Sequence, residues 1–462
     1  MSNDEHRPAT VEYFLRECWQ AAGGDAPFLT QVRMIGEGAL PSCFAVSDLA
    51  TAAMGAAHLA IAELLHHASG ITPEVVVDRR LASLWFGTSL RPQGWSLPAQ
   101  WDAVAGDYRA ADGWIRLHTN APHHREAALA VLGAPADREA VSKAVATWQA
   151  SALESAIVER QGCAAAMRST QAWAAHPQGL RVANEPLLQW TTGASVDKTA
   201  WPLLRERPLQ GVRVLDLTRI LAGPVATRFL AGFGAQVLRI DPYGWEEPGT
   251  VPEVVLGKRC ARLDLRDVTD RAVLEQLLKE ADVLVHGYRA DALARLGLDA
   301  QRRRELNPGL VDISLNAYGW TGPWGERRGF DSLVQMSTGI ADAGMRAAGA
   351  DQPVPLPVQA LDHATGYLLA AAAVRGLTQR RATGEGCQVQ ASLARTAKLL
   401  VDAPARAQPP LAPADADDFS AETEHSAWGP ALRLKPAAQV DGSPVHWALP
   451  SCALGSAEAR WL

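Results

Sequence analysis

The chain has 462 residues, enough for two or three domains with sizeable cores. Apolar residues make up 48% and charged residues 20%, which excludes a disordered chain. The formal charge of −6 argues against general attraction to nucleic acid or an anionic membrane, while leaving room for a local basic pocket.

The six cysteines (Cys18, Cys43, Cys163, Cys260, Cys387 and Cys452) are scattered, with no CxxC pair and no Cys/His spacing suited to zinc. They read as free thiols of a reducing compartment, and no metal is expected. The N-terminus is acidic where a signal peptide needs a positive region and an apolar core. No uncharged apolar run approaches the roughly 20 residues that span a bilayer. The expectation is a cytoplasmic protein with no membrane or nucleic-acid partner.

In chain order, a helix is expected around residues 11–22 and a longer one, rich in Ala and Leu, over 47–68. Pro73 and the β-branched run Val75–Val77 predict a turn and a short strand. DYRAADGWIRLHT (107–119) has the form of a hairpin about Asp112-Gly113. Residues 123–175 read as successive helices stopped at Gly133, Gly162 and the Pro-Gln-Gly of 177–179. Residues 191–210, with Gly193, Pro202 and Pro208, read as a linker.

From Gly211 strands alternate with helices. VRVLDLT, AQVLRID, ADVLVHGY and GLVDISLNAYG are strand-like; AGPVATRFLAGFG, AVLEQLLKE and ADALARLG between them are helical. This implies an α/β fold: an open parallel, Rossmann-like sheet covered on both faces, with a smaller α+β domain placed N-terminally. A helix after Asp362 and the strand-like CQVQASLAR close the large domain near residue 400. Residues 401–425 are Pro/Ala/Asp-rich and read as a flexible linker, and 426–462 form a tail. The divisions are an extension over 1–46, a helix–turn–strand unit over 47–90, the small domain over 91–190, the linker over 191–210, and the large domain over 211–400.

The unit at 47–90 repeats the Asp362 region. At a constant offset of 362 − 48 = 314, Asp48 falls on Asp362, Ala50 on Ala364 and Thr51 on Thr365. Gly70 falls on Gly384 and Val75 on Val389, with no gap.

An aspartate ahead of a helix is most often an N-cap, its carboxylate accepting hydrogen bonds from the first free N–H groups. The same carboxylate, if a ligand can reach it, is an oxygen nucleophile toward thioesters. Local sequence leaves both readings open. The unit from Gly211 to Ile240 invites a dinucleotide reading with Asp241 at the ribose position. Its loop lacks GxGxxG and carries Pro224 where close backbone approach is needed, which argues against NAD. The histidine pairs His66-His67 and His123-His124 read as solvated, and no HExxH occurs. Arg239, Arg289 and Arg295 fall at or beyond expected strand ends, where basic groups would suit a phosphate-rich ligand.

RVLDLTRILAGPVATRFLAGFGAQVLRIDPYG resembles the opening of the family III CoA transferases, the CaiB/BaiF group. The resemblance continues through LDLRD, ADVLVHGYRADALARLGL and NPGLVDISLNAYGWTGPWGERRGFDSLVQMSTG to LDHATGYLLAAAAVRGLTQRRATGEGCQV, in family order over about residues 210–400. It implies a CoA transferase that moves CoA from an acyl-CoA donor to a small carboxylic acid acceptor through aspartyl anhydride and thioester intermediates. Asp362 would be the nucleophile. Ile220 and Leu221 would contact CoA through the backbone, and Arg239, Tyr288 and Arg295 would line the nucleotide and pantetheine path. CoA is then a substrate, and no tightly bound cofactor is expected.

Three departures stand out. His286-Gly287-Tyr288 replaces the common Glu-Asn-Phe, and the family's glycine-rich covering loop is not evident. The related racemases carry a proton-shuttling histidine in a GHD-like stretch, which here is Gly329-Phe330-Asp331; a phenylalanine cannot carry a proton. Racemase, lyase and non-catalytic CoA-binding readings remain as alternatives. The order of pieces also resembles a permutation: the small domain precedes the large one and follows its own Asp unit, so Asp48 reads as a relic N-cap. The family's interlocked homodimer could persist, or one chain could complete the fold as an intrachain pseudo-dimer.

Overall fold

The computed structural model describes residues 9–196, 201–287 and 292–462. Seven strands form the main sheet: β1 (Gln189–Ser195), β2 (Arg213–Leu217), β3 (Gln236–Asp241), β4 (Lys258–Arg262), β5 (Val283–His286), β6 (Val311–Asn316) and β7 (Glu385–Ser392). Their spatial order is β4-β3-β2-β5-β6-β7-β1. All neighbours pair parallel except β1, which runs antiparallel to β7 along the edge. The six parallel strands thus follow the doubly wound order 3-2-1-4-5-6, with a reversal between β2 and β5. Strands β2 and β5 carry apolar residues on both faces, as burial on both sides requires. Leu215, Leu238 and Leu284 pack on one side with Leu274 and Leu277 of the helix Val268–Glu280. Val214, Val237 and Val285 join the principal core on the other.

That core is built on three alanine-rich helices: Val46–Ser69, Ala222–Gly232 and Ala360–Thr383. Small side chains let the backbones approach closely. A Cβ on Gly366 would lie 2.5 Å from the Ala222 carbonyl oxygen, so glycine there fixes how near the Asp362 helix can sit to the β2 loop. Val46–Ser69 is long and apolar enough to cross a membrane by length and composition, yet nearly all of it is buried inside the protein.

The repeat is a structural duplication. The helices Val46–Ser69 and Ala360–Thr383 have the same length and are related by the offset 360 − 46 = 314. Each ends on a left-handed glycine, Gly70 (φ 74°) and Gly384 (φ 82°). Each is followed by a strand and then a helix capped by equivalent side chains: Asp78 accepts from the Leu81 N–H, and Ser392 from the Arg395 N–H. The two long helices pack on one another, with Glu63 of the first ion-paired to Arg375 of the second.

The small domain carries the expected hairpin, Gly106–Arg109 paired with Trp114–Leu117, plus a third strand, Ala164–Ala166. Its helices are Pro122–Leu132, Arg138–Val145 and Ala150–Glu159.

Some expectations need correction. The linker over 191–210 contains most of β1; that strand is exposed on alternate and adjacent positions alike, so it has backbone pairing without a hydrophobic pattern. Strand β4 escaped a pattern reading because it opens on Lys258, whose buried ammonium meets Asp216 at 3.0 Å and Thr227 at 2.7 Å. The segment 401–425 is pinned rather than free: Arg80 donates to the carbonyls of Ala412 and Pro413, and Phe419–Ser426 is a strand paired with Gly429–Leu434. The tail docks through Ala438–Val440, which pairs with Val75–Asp78, and through Trp447, which stacks on Trp85.

Asp48 is not an N-cap either. Its carboxylate meets Arg79 at 2.9 and 3.2 Å and the Gln408 amide at 3.2 Å. Both members of the ion pair are buried. Arg79→Leu should therefore leave an uncompensated carboxylate and destabilise the fold by about 3–5 kcal/mol, and adding Asp48→Asn should restore much of the loss, as measured by urea unfolding.

Candidate active site

The reversal between β2 and β5 opens a crevice at the carboxyl ends of the strands, where open parallel sheets take ligands. Thr218, Arg219 and Ile220 leave β2 there, opposite Gly287 beyond β5, and all line one cavity of about 350 Å³. Ile220 has φ 66°, a conformation a β-branched residue adopts only under constraint. The constraint is local. The Ile220 N–H donates to Glu247 (3.0 Å), which is also held by the Trp245 indole (2.7 Å) and the Arg239 guanidinium (3.0 Å). Leu221 follows as the N-cap of the helix Ala222–Gly232.

Asp362 lies in the first turn of its helix and lines this cavity and a second one of about 790 Å³. The second cavity is enclosed by the large domain, by Phe86–Thr88 of the duplicated unit, and by the small domain. Ile220, Trp245, His123, Phe330 and Asp362 border both. Asp362 is 7% exposed.

Asp362 does not cap its helix. Asp331, at the start of the helix Asp331–Ser337, does so from outside: it accepts the Asp362 N–H at 2.9 Å, and the Leu361 N–H also bonds to it. Gln335 donates to the other Asp331 oxygen at 2.5 Å and uses its own carbonyl to hold the Leu356 N–H. The capping requirement is met, and the Asp362 carboxylate faces the cavities. Burial pushes the Asp331 carboxyl up to about 6, against the pull of these donors. Burial, and then the Asp331 charge, raise Asp362 well above the usual range. The two carboxyls titrate as a pair.

The duplication explains the difference between the two aspartates. At the same offset, 79 + 314 = 393, the arginine that neutralises Asp48 is replaced by Leu393, which lines the smaller cavity. One copy is tied off by a cation and the other is open.

The small domain supplies groups that sequence reasoning passed over. His118, at the end of the hairpin, stacks on Phe330 with ring centroids 3.8 Å apart and planes 8° off parallel. His124 meets the Phe330 edge at 5.9 Å. It is 4% exposed, so the solvated reading of the pair His123-His124 fails for that member. Burial pushes both His118 and His124 down to about 3, leaving neutral rings whose Nδ1 atoms are buried and unpartnered. The signal was weak: an odd-even position in a hairpin, and a helix face, that only docking turns toward Asp362.

The expected CoA-path residues divide. Ile220 and Leu221 border the cavities. Arg239 lines neither cavity: it is fully buried and ion-paired with Asp241 (2.8 Å) and Glu247 (3.0 Å), supporting the Ile220 loop from behind. Arg295 is exposed and does not line either cavity. Tyr288 and Arg289 lie outside the described residues. Basic groups at the smaller cavity come instead from Arg219, stacked over Trp245 (4.5 Å), and from Arg327 and Arg328. Among the described residues no three of His, Cys, Asp or Glu are grouped to hold a metal ion.

The family model of CoA-transferase family III matches residues 209–430. This part of the chain is similar to CoA-transferase family III. An acyl-CoA transferase of Gibberella moniliformis is 29% identical over 309 residues, covering 62% of this chain and 54% of the relative. The human succinyl-CoA:glutarate CoA-transferase is 32% identical over 202 residues, 40% of this chain and 45% of the relative. The chain spans about half the length of such curated relatives. A solved CaiB/BaiF family protein of Brucella suis is 25% identical over 49% of this chain and 65% of its own, with a TM-score of 0.38, too low to bear on the fold.

The carboxyl pair sets a pH dependence. Both pKa values are raised on folding, so the native state holds protons that the unfolded chain releases. The pair's contribution to stability is full below the ordinary aspartate value of about 3.9 and is lost as pH rises through about 6 and beyond. Any reaction that needs ionised Asp362 should gain rate over the same range. Asp331→Asn, which removes the like charge, should move that acid limb to lower pH in a profile of kcat/KM for CoA exchange. Leu393→Arg should pair with Asp362 as Arg79 does with Asp48 and lower the exchange rate about 100-fold.

Proposed function

We propose that the protein is an enzyme that transfers CoA from an acyl-CoA to a carboxylic acid, with Asp362 as the nucleophile. The observation that carries this reading is the open Asp362 carboxylate between two cavities, its helix capped by Asp331. The match of residues 209–430 to the model of CoA-transferase family III supports it. CoA phosphates suit the smaller cavity, where Arg219, Arg327 and Arg328 gather and the Ile220–Leu221 backbone is held rigid.

An Asp362 oxygen attacks the thioester carbonyl; the C–S bond breaks, giving a mixed anhydride and CoA thiolate. The thiolate attacks the aspartyl carbon and expels the donor carboxylate, leaving aspartyl-CoA. The acceptor carboxylate displaces the thiolate to form a second anhydride. The thiolate then attacks the acceptor acyl carbon, releasing the new acyl-CoA and restoring the Asp362 carboxylate. Each step exchanges one acyl bond for another, so no net proton or electron is consumed.

One chain supplies both walls of the site, the duplicated unit and the small domain, which supports an intrachain pseudo-dimer. The six thiols support a reducing, cytoplasmic setting.

His118 favours a second reading. A buried neutral histidine on the same cavity as Asp362 is suited to proton exchange at the thioester α-carbon, which Phe330 cannot perform. Deuterium wash-in from D2O into the acyl-CoA, lost in His118→Ala, would identify that reaction.

Incubation with an acyl-CoA and hydroxylamine should convert Asp362 to its hydroxamate, detected by peptide mass spectrometry. Asp362→Ala should lose about 10⁴-fold or more of CoA exchange. A fully active Asp362→Ala protein ends the proposal.

A further inference from the structure

The two cavities that meet at Asp362 differ in charge. The smaller one carries Arg219 and Arg328, and also Arg327, which is ion-paired to Glu154 (2.9 Å). The larger one has no lysine or arginine among its described lining residues. It has carboxylates instead, and most of these are already paired from behind. Asp102 is held by Arg125 (2.8 Å), Glu247 by Arg239 (3.0 Å), and Glu253 by Arg228 and Arg433. Those cations are spent on the wall and do not line the chamber.

The rest of the wall is neutral. Phe86, Leu97, Trp101, Val358 and Phe330 give it apolar and aromatic surface. His118 and His363 line it as uncharged rings, because burial pushes both down to about 3. Gln100, Asn120 and Thr88 offer dipoles but no charge.

A CoA thioester spanning the two cavities has one orientation that satisfies charge. Its phosphates face the arginines, and its acyl group passes Asp362 into the larger chamber. We infer that this chamber selects acyl groups without a second carboxylate: it takes the thioester of a monocarboxylic acid and rejects that of a dicarboxylic acid. The inference rests on the CoA-thioester reading above and names its substrate class. A terminal carboxylate carried into the chamber loses water, gains no cation, and meets the charge of the acidic wall. An alkyl or aryl terminus loses nothing and buries apolar surface against Trp101, Phe86 and Leu97. This selectivity would separate the chain from relatives whose names specify succinyl and glutarate substrates.

Butanoyl-CoA and succinyl-CoA are matched probes that differ at the terminus. Their binding to the Asp362→Asn protein, measured by titration calorimetry, is read without turnover. Butanoyl-CoA should bind about 30-fold or more tightly than succinyl-CoA, the cost of an unpaired buried carboxylate. Gln100→Arg, which adds a cation to the chamber wall, should narrow that ratio to within about threefold. Equal or tighter binding of succinyl-CoA to Asp362→Asn overturns the inference, as does a Gln100→Arg protein with an unchanged ratio. The two proposals fail separately. If the preference is found but wild-type protein exchanges no CoA with any acid, transfer fails and the selectivity stands. If wild-type protein transfers CoA and prefers succinate to butanoate as acceptor, transfer stands and the selectivity fails. Binding of neither thioester overturns both.

Discussion

The hydrogen bond from the Asp362 amide to the Asp331 carboxylate is the contact on which the site depends. A helix N-terminus must satisfy its free N–H groups, and an aspartate in the first turn is the usual means. Here another chain segment does that work. Asp331 is itself oriented by Gln335, which also holds the Leu356 N–H. The arrangement releases one carboxylate for chemistry; burial, and then the charge of the second carboxylate, hold its proton affinity high. Positioning and part of the tuning come from the same residue.

The duplicated unit acts as an internal control on this logic. Two helices of the same length, with equivalent glycine stops and capped successors, present an aspartate at equivalent positions. In one copy Arg79 closes over the carboxylate and Gln408 seals it. In the other, Leu393 occupies the place of the arginine and cavities open on both sides. A single side chain separates a structural ion pair from a candidate nucleophile. The inert copy still matters, because its helix packs along the Asp362 helix and its Phe86 stacks on His363 at the chamber wall.

Support for the ligand loop is also indirect. Arg239 lines neither cavity, yet it holds Glu247, and Glu247 holds Ile220 in a left-handed conformation. A charged residue near a strand end therefore reads the same in sequence whether it meets phosphate or props a loop. Burial decides between them. Arg239 is at 0% exposure, and Arg295, expected on the same path, is an exposed residue outside both cavities.

The sequence by itself determined the alternation of strands and helices from residue 211 and the Asp48/Asp362 duplication, while Asp362 as a candidate nucleophile came from the family resemblance. The first two are local patterns: periodicity, capping residues and spacing survive in one dimension. Strands β1 and β4 were illegible because their pairing is backbone-only in one case and charge-compensated in the other. Only the tertiary structure decided that Asp331 caps in place of Asp362, that Arg79 quenches Asp48, and that His118 and His124 of a separate domain border the two cavities that meet at Asp362, one on each. Each of these depends on what a side chain meets from a distant segment, and neither burial nor partnership is encoded in the spacing of neighbours.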